Sequence, residues 1–437
     1  MKHRVVITGL GWITPLGHDI ESVWRRLLSG QSGIDPIRHF DASTFPTTFA
    51  GQVKEYDYRP LVSNPKWHEG IGLNTAFALG AATQAWRESG LDSFDRFDHE
   101  RLGIYLGSGE GSLDFDNYVA ANLAGWDEGS RSVEGKRWAQ VAKNTMTAKR
   151  EIEQEPNMPV AHLALEFDVR GPAYNCLTAC AASTQAIGEA TELLRRGDVD
   201  VMITGGAHSM IHPLGVTGFN RLTALSNRNA DPAAAPRPFS ADRDGFVLGE
   251  GAGVIILENL DHALERGARP LAEIKGYGST ADAFRITDMH PDGRGAAAAM
   301  RQSLNDACVS ISEVDYISAH GTGTRENDSI ETKAIKKVFL DRAQEIPISS
   351  IKSMIGHLIA AAGVIEAIVC VLALRDQKLP PTRNLQISDP DCDLDYIPNQ
   401  AREASSDNPI EVCLSNSFGF GGQNNTLIIS TYDDARQ

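Results

Sequence analysis

One cysteine and two histidines give this sequence its chemistry. Cys180 stands among Ala179, Ala181 and Ala182 in NCLTACAASTQAIGEATELL (175–194), at the start of a helical pattern. Ile187, Ala190, Leu193 and Leu194 recur there at roughly helical spacing, and Gly197 is placed to stop the helix. A thiol at a helix N-terminus faces the positive end of the macrodipole and free N–H groups, so the spacing predicts a favoured thiolate. Taken alone, Cys180 reads equally well as a small buried hydrophobe. Four other pieces tip the balance. His320 ends an apolar strand pattern (314–319) and opens GTGT, and Glu331 follows it by eleven residues on the next helix. His357 comes five residues after Lys352 in IKSMIGH and starts a long small-residue helix over 358–374. NSFGFGG (416–422) is a glycine-rich turn between the last two strand patterns. A thiol, two histidines at element ends and a glycine-rich backbone turn together suit covalent, nucleophilic catalysis.

The elements that must position these groups alternate. Strand patterns over 4–8, 102–106, 199–204 and 251–257 are interleaved with helical ones over 20–29, 74–89 and from Cys180 onward. A second round follows: strands over 271–276, 314–319 and 347–350, helices over 295–307, 330–339 and 358–374, then strands over 412–414 and 426–429. Such alternation predicts a mostly parallel α/β sheet covered on both faces. Each round ends in a hairpin-like pair and holds one long helix that begins at Cys180 or at His357. The pattern reads as an internal duplication, with units over 1–262 and 263–437. Gly9-Leu10-Gly11 resembles a dinucleotide loop, but Thr14 breaks G-x-G-x-x-G, and a tight strand-to-loop turn is expected instead. Residues 112–158 are polar and weakly periodic, an inserted or covering segment with helix near 133–152 and with Trp126 and Trp138 as its anchors.

Composition excludes several classes. The 437 residues, 42% hydrophobic and 22% charged, describe a globular protein with a large core. Forty-one basic against 57 acidic residues leave a net charge of −16, so nucleic acid and anionic membrane are poor principal partners. The six cysteines form no C-x-x-C pair and no zinc-like set, which points to a reducing cytoplasm and to no metal. The basic N-terminus lacks the unbroken apolar run of a signal peptide, and no apolar run reaches the ~20 residues of a membrane span.

TACAAS around Cys180, RDGFVLGEGAG (243–253), AHGTGT (319–324), KSMIGH (352–357) and NSFGFGG (416–422) occur in the order in which they occur in the β-ketoacyl-[acyl-carrier-protein] synthases, and the chain resembles that family along its whole length. It is most similar to the type II elongating enzymes. The resemblance implies a thiolase-like fold, two similar halves in five α/β/α/β/α layers, working as a homodimer. It implies that Cys180 takes an acyl group from the phosphopantetheine arm of acyl carrier protein, with no cofactor of its own. His320 and His357 would bind the malonyl carbonyl, assist decarboxylation and stabilise the enolate, with His357 kept neutral at its helix start. The backbone N–H groups of Cys180 and Phe420 would form the oxyanion hole. Lys352, paired with Glu331, would hold His320 in place; Thr322 and Thr324 would bind the pantetheine amides; Phe418, Phe420 and Thr287 would line the site.

Three departures from the family pattern bear on the substrate. Ile355 stands where threonine is usual, Arg285 stands near the tunnel mouth where histidine is common, and Glu110 replaces an apolar residue at the far end of the acyl pocket. Arg285, Arg221 and Lys66 are the candidates for a local basic patch that meets the acidic carrier. A chain-shaping partner subunit of a ketosynthase heterodimer is the alternative, against which Cys180 counts because such subunits lack the nucleophile.

Overall fold

Ten strands form one mixed sheet whose order repeats. Strands β1 (Val5–Ile13), β2 (Leu102–Ser108), β3 (Ala173–Cys176), β4 (Val201–His208) and β5 (Gly251–Asn259) lie side by side in the order β1-β5-β4-β2-β3. Strands β6 (Ala272–Ala281), β7 (Tyr316–Ser318), β8 (Ile348–Ser349), β9 (Val412–Gly419) and β10 (Gln423–Ser430) follow as β6-β10-β9-β7-β8. In the first set β2 is parallel to β3 and β4, while β5 runs antiparallel to both β4 and β1. In the second, β7 is parallel to β8 and β9, and β10 runs antiparallel to β9 and β6. The two sets therefore have one topology. They join through two antiparallel residue pairs, Val6 with Glu273 and Ile7 with Ala272. This computed structural model describes residues 3–94, 96, 98–109 and 113–433.

Five helices complete the layers: α1 (Leu73–Glu88), α2 (Ala182–Arg196), α3 (Arg294–Ala307), α4 (Arg325–Phe339) and α5 (Ala362–Asp376). Helix α1 covers β1 and β5, and α3 covers β6 and β10 with α4 beside it. Between the sheet halves lie α2 and α5, which touch each other and strands of both halves. The result is the thiolase-like α/β/α/β/α stack. Sequence explains why α5 is central: its residues from Ala362 to Leu374 are all buried, and a helix apolar all round has no face for water. Each central helix is entered by a short 3₁₀ turn, Ala179–Ala181 or Ile359–Ala361, whose first residue has positive φ (Ala179 +48°, Ile359 +44°).

Gly9 and Gly11 do not form a turn. They lie inside β1, where a Cβ on either would come within 2.0 Å of a carbonyl oxygen of α1, Ala85 or Ala81. Their role is close strand–helix packing. Only the second half ends in a hairpin; in the first, β4 and β5 pair across a long connection. The covering segment folds as helices Phe115–Gly125, Gly135–Thr145 and Ala148–Ile152, followed by Met158–Glu166, with a small hairpin of Trp126–Asp127 against Ser132–Val133. Trp126 is no anchor: it is 45% exposed, and its indole N–H donates to Glu128. Trp138 is half-buried, with its Cβ close over Gly125. No helix among the described residues is long and apolar enough to cross a membrane.

Candidate active site

Cys180 sits in the 3₁₀ turn directly ahead of α2, 5% exposed. The left-handed Ala179 turns the chain sharply, a conformation that costs a non-glycine residue energy and is held by its surroundings. Those surroundings leave no room for side chains. A Cβ on Gly107 would lie 2.4 Å from the carbonyl carbon of Ala182, and one on Gly419 would lie 2.9 Å from the Thr178 carbonyl oxygen. The end of β9 thus passes directly over the turn. As a consequence, the backbone N–H groups of Phe420 and of Cys180 itself are within reach of the sulfur.

His320 follows β7, and His357 follows the short helix Lys352–Ile355 after Gly356 at φ +75°. The Cys180 sulfur and one ring nitrogen of each histidine all lie within 4.8 Å of one another. The two imidazoles meet edge to face, 5.3 Å between centroids at 84°, and are braced by Phe418 against His320 and Phe246 against His357. His357 Nδ1 accepts the Ile359 N–H at 3.3 Å, which leaves the ring proton on Nε2, a buried donor with no partner among the described residues. Burial, and then the charge of Lys352, hold both histidines well below the ordinary histidine range. They are neutral N–H donors at neutral pH. His357 does not start the long helix: the 3₁₀ turn Ile359–Ala361 intervenes and α5 begins at Ala362, so burial and Lys352, not a helix end, account for its neutrality.

Beneath the trio lies a buried charge network that differs from expectation in one partner. Lys352 pairs with Glu366 of α5 and not with Glu331, and its Nζ also donates to the His320 carbonyl at 2.6 Å. Glu331 instead accepts the backbone N–H groups of His320 (2.9 Å) and Gly321 (2.8 Å) and the side-chain amide of Asn416 (3.2 Å). Both carboxyls are pushed up to about 7, by burial first. The sequence carried a signal for Glu366, the one charged residue in the apolar run 358–374. Burial also overrides the expected helix-end effect on Cys180: its thiol is pushed up to about 11, with Lys352 and the two N–H groups acting in the opposite direction.

A cavity of about 350 Å³ opens above the trio, lined among others by Cys180, His320, His357, Thr322, Thr324, Thr287, Phe418 and Phe420. The hydroxyls of Thr322 and Thr324 lie 3.0 Å apart, and Thr324 also caps α4 by accepting the Asn327 N–H. By distance alone the trio could ligate a soft metal ion. Yet a lysine ammonium beneath it and two N–H groups aimed at the sulfur repel a cation and suit a developing anion. Arg285, Arg221 and Lys66 are exposed and outside the cavity lining, and Arg285 is ion-paired with Asp288 at 3.1 Å. Ile355 is buried in the helix Lys352–Ile355. Glu110 lies outside the described residues.

With this geometry in place, comparison with known proteins is specific. Residues 2–263 match the family model for the β-ketoacyl synthase N-terminal domain, and residues 271–386 match that for its C-terminal domain. The chain is 40% identical over 441 residues to 3-oxoacyl-[acyl-carrier-protein] synthase 2 of Coxiella burnetii, covering 99% of this chain and 100% of that one. The enzyme of the same name from Synechocystis is 42% identical over 431 residues, with 99% of each chain covered. Among solved structures, the ishigamide ketosynthase/chain length factor superposes with a TM-score of 0.87 at 33% identity, covering 99% of this chain and all of that one. A type II polyketide ketosynthase solved in complex with its acyl-carrier protein gives 0.85 at 34% identity, again over 99% of this chain and all of that one.

Proposed function

The chain belongs to the β-ketoacyl synthase family, and from that premise we propose that it is a 3-oxoacyl-[acyl-carrier-protein] synthase. It condenses an acyl group held on Cys180 with malonyl carrier to give 3-oxoacyl carrier and carbon dioxide. One observation carries the assignment of roles: a thiol at the end of a helix, two neutral imidazoles and two backbone N–H groups converge on one small cavity.

The steps follow from that arrangement. The Cys180 sulfur attacks the acyl thioester; its proton leaves with the phosphopantetheine thiol, and an acyl-cysteine remains. Because burial holds the free thiol protonated, the proton is lost as the thioester carbonyl arrives and the N–H groups of Cys180 and Phe420 take up its oxyanion. Malonyl carrier then binds with its thioester oxygen toward the histidines. The carboxylate leaves as carbon dioxide and its electron pair forms an enolate, whose oxygen accepts from the neutral N–H groups of His320 and His357. The enolate carbon attacks the acyl-cysteine carbonyl, and collapse of the tetrahedral adduct expels the Cys180 thiolate. Lys352 and Glu331 act from below, fixing the backbone of His320 and the local potential. Thr322 and Thr324 hydrogen-bond the pantetheine amides, while Thr287, Phe418 and Phe420 line the entrance.

No cofactor of its own is needed for these steps. Acyl carrier protein is the partner, and a homodimer is the working unit, with a heterodimer with a second ketosynthase-like subunit as the variant. Two features support a protein interface: strand β3 is an open sheet edge, with Tyr174 49% exposed, and Leu177 lies exposed just beyond it. We assign the two units to 1–262 and 263–437 and the site of action to the cytoplasm. Chain elongation in fatty-acid or polyketide-type synthesis fits the site equally. Cys180 weighs against a purely chain-shaping subunit. The test is turnover: Cys180→Ala should abolish condensation while leaving the fold intact, and retained turnover would overturn the reading.

A further inference from the structure

Away from the active site, four buried ionisable side chains form an unbroken hydrogen-bonded chain. Glu166 meets His68 Nε2 at 3.0 Å, His68 Nδ1 meets His162 Nδ1 at 2.9 Å, and His162 Nε2 meets Glu153 at 3.0 Å. His68 is 0% exposed and His162 8%. His68 ends the turn Pro65–His68 on the body of the protein, whereas Glu153, His162 and Glu166 belong to the covering segment and the helix that follows it. Glu166 also accepts the backbone N–H (2.6 Å) and hydroxyl (3.1 Å) of Ser63, which ties that end of the chain to the body, while the other carboxylate oxygen of Glu153 is buried without a partner among the described residues.

Three hydrogen bonds in this chain need three protons. Two neutral imidazoles facing two carboxylates carry only two, and one bond is then lost to opposed lone pairs. With a fourth proton, donors face each other between the rings or at a carboxyl. We infer that His68 and His162 share a single extra proton, and that this proton latches the covering segment to the body over a limited range of pH. The segment so latched has a position that matters. Gln154 and Pro156, in the loop after Glu153, line an apolar groove with Met210, Phe219 and Leu222, and Leu222 also lines the active-site cavity. Ser108 at the end of β2 donates to the Pro156 carbonyl, so the same loop is tied to the central sheet.

Other charged groups lie around the latch. The Tyr58 hydroxyl donates to the His68 carbonyl at 2.7 Å, with Asp57, Arg59 and Glu69 nearby. Lys149 of the covering segment lies over Gly70, and Arg87 of α1 reaches the Leu61 carbonyl at 3.4 Å. None of these enters the chain of three bonds, which keeps the proton count with the two histidines and two carboxyls.

Hydrogen exchange of the full-length protein from pH 5.5 to 9, corrected for intrinsic rates, tests the latch on backbone peptides covering 58–70 and 148–166. Protection should pass through a maximum and fall on either side, approaching tenfold per pH unit because one proton is lost or gained. In His68→Gln and His162→Gln, each of which lacks the second ring that shares the extra proton, the maximum should vanish. A flat or monotonic wild-type profile would overturn the inference, as would an unchanged maximum in both variants. Should the variants fail to fold, ¹⁵N-histidine spectra of the wild type decide at the pH of maximal protection. One imidazolium shared between the two rings is expected, and two neutral rings would refute it.

Discussion

Lys352 and Glu366 form a buried ion pair directly beneath His320 and His357, joining the short helix after β8 to the middle of α5. Both side chains are almost fully inaccessible, so the pair cannot be broken cheaply. Removing one partner of such a pair leaves an uncompensated charge, a cost of about 3 to 5 kcal/mol. Glu366→Gln should therefore lower the thermal midpoint and disturb the His320 carbonyl that Lys352 holds. A melting curve unchanged from wild type would contradict this.

Lys352 also contributes to keeping both histidines uncharged. With the wild-type enzyme, malonyl decarboxylation should show no histidine titration between pH 6 and 8. Lys352→Met removes a positive charge and raises both histidines toward their ordinary value of 6.5, so activity should begin to fall on the acid side. Rate profiles for carbon dioxide release check this; identical acid limbs in the two proteins would argue against it.

Glu331 is pushed from the ordinary 4.5 to about 7. Between those values the folded protein holds a proton that the unfolded chain has lost. The stability Glu331 contributes is therefore full below pH 4.5 and lost as pH rises through 7. Denaturant unfolding at pH 5 and pH 8 should show a smaller pH-dependent loss in Glu331→Gln than in wild type. Equal losses would show that Glu331 does not titrate in this range.

Burial holds the Cys180 thiol at about 11 in the substrate-free enzyme. Alkylation by iodoacetamide should accelerate by close to tenfold per pH unit from pH 7 to 9. A plateau below pH 8 would mean that the helix end and Lys352 outweigh burial.

Much of the site was legible because its residues carry local signals. Cys180, His320 and His357 each stand at the end of an element among small residues, and the cavity indeed gathers all three with Thr322, Thr324, Phe418 and Phe420. The repeated strand order was foreshadowed by the repeated alternation. What could not be read were pairings across the fold. Lys352 has two buried carboxylates within its field, and only the packing of α5 decides that Glu366 takes the ion pair while Glu331 serves backbone N–H groups. Strand β3 has no apolar run to mark it in the sequence, because Ala173 and Tyr174 are exposed at a sheet edge. Cys180 shows the limit of local reasoning: the helix end is present, but desolvation is the larger effect.

The most direct test of the account follows acyl groups and carbon dioxide together. Purified enzyme is incubated with acyl carrier protein charged with an acyl chain, then with malonyl carrier, and Cys180 is read by peptide mass spectrometry before and after. The account predicts acyl mass on Cys180, stable in His320→Ala and His357→Ala, and discharged in wild type with release of carbon dioxide and formation of 3-oxoacyl carrier. Acyl mass on another residue, or condensation by Cys180→Ala, would contradict it.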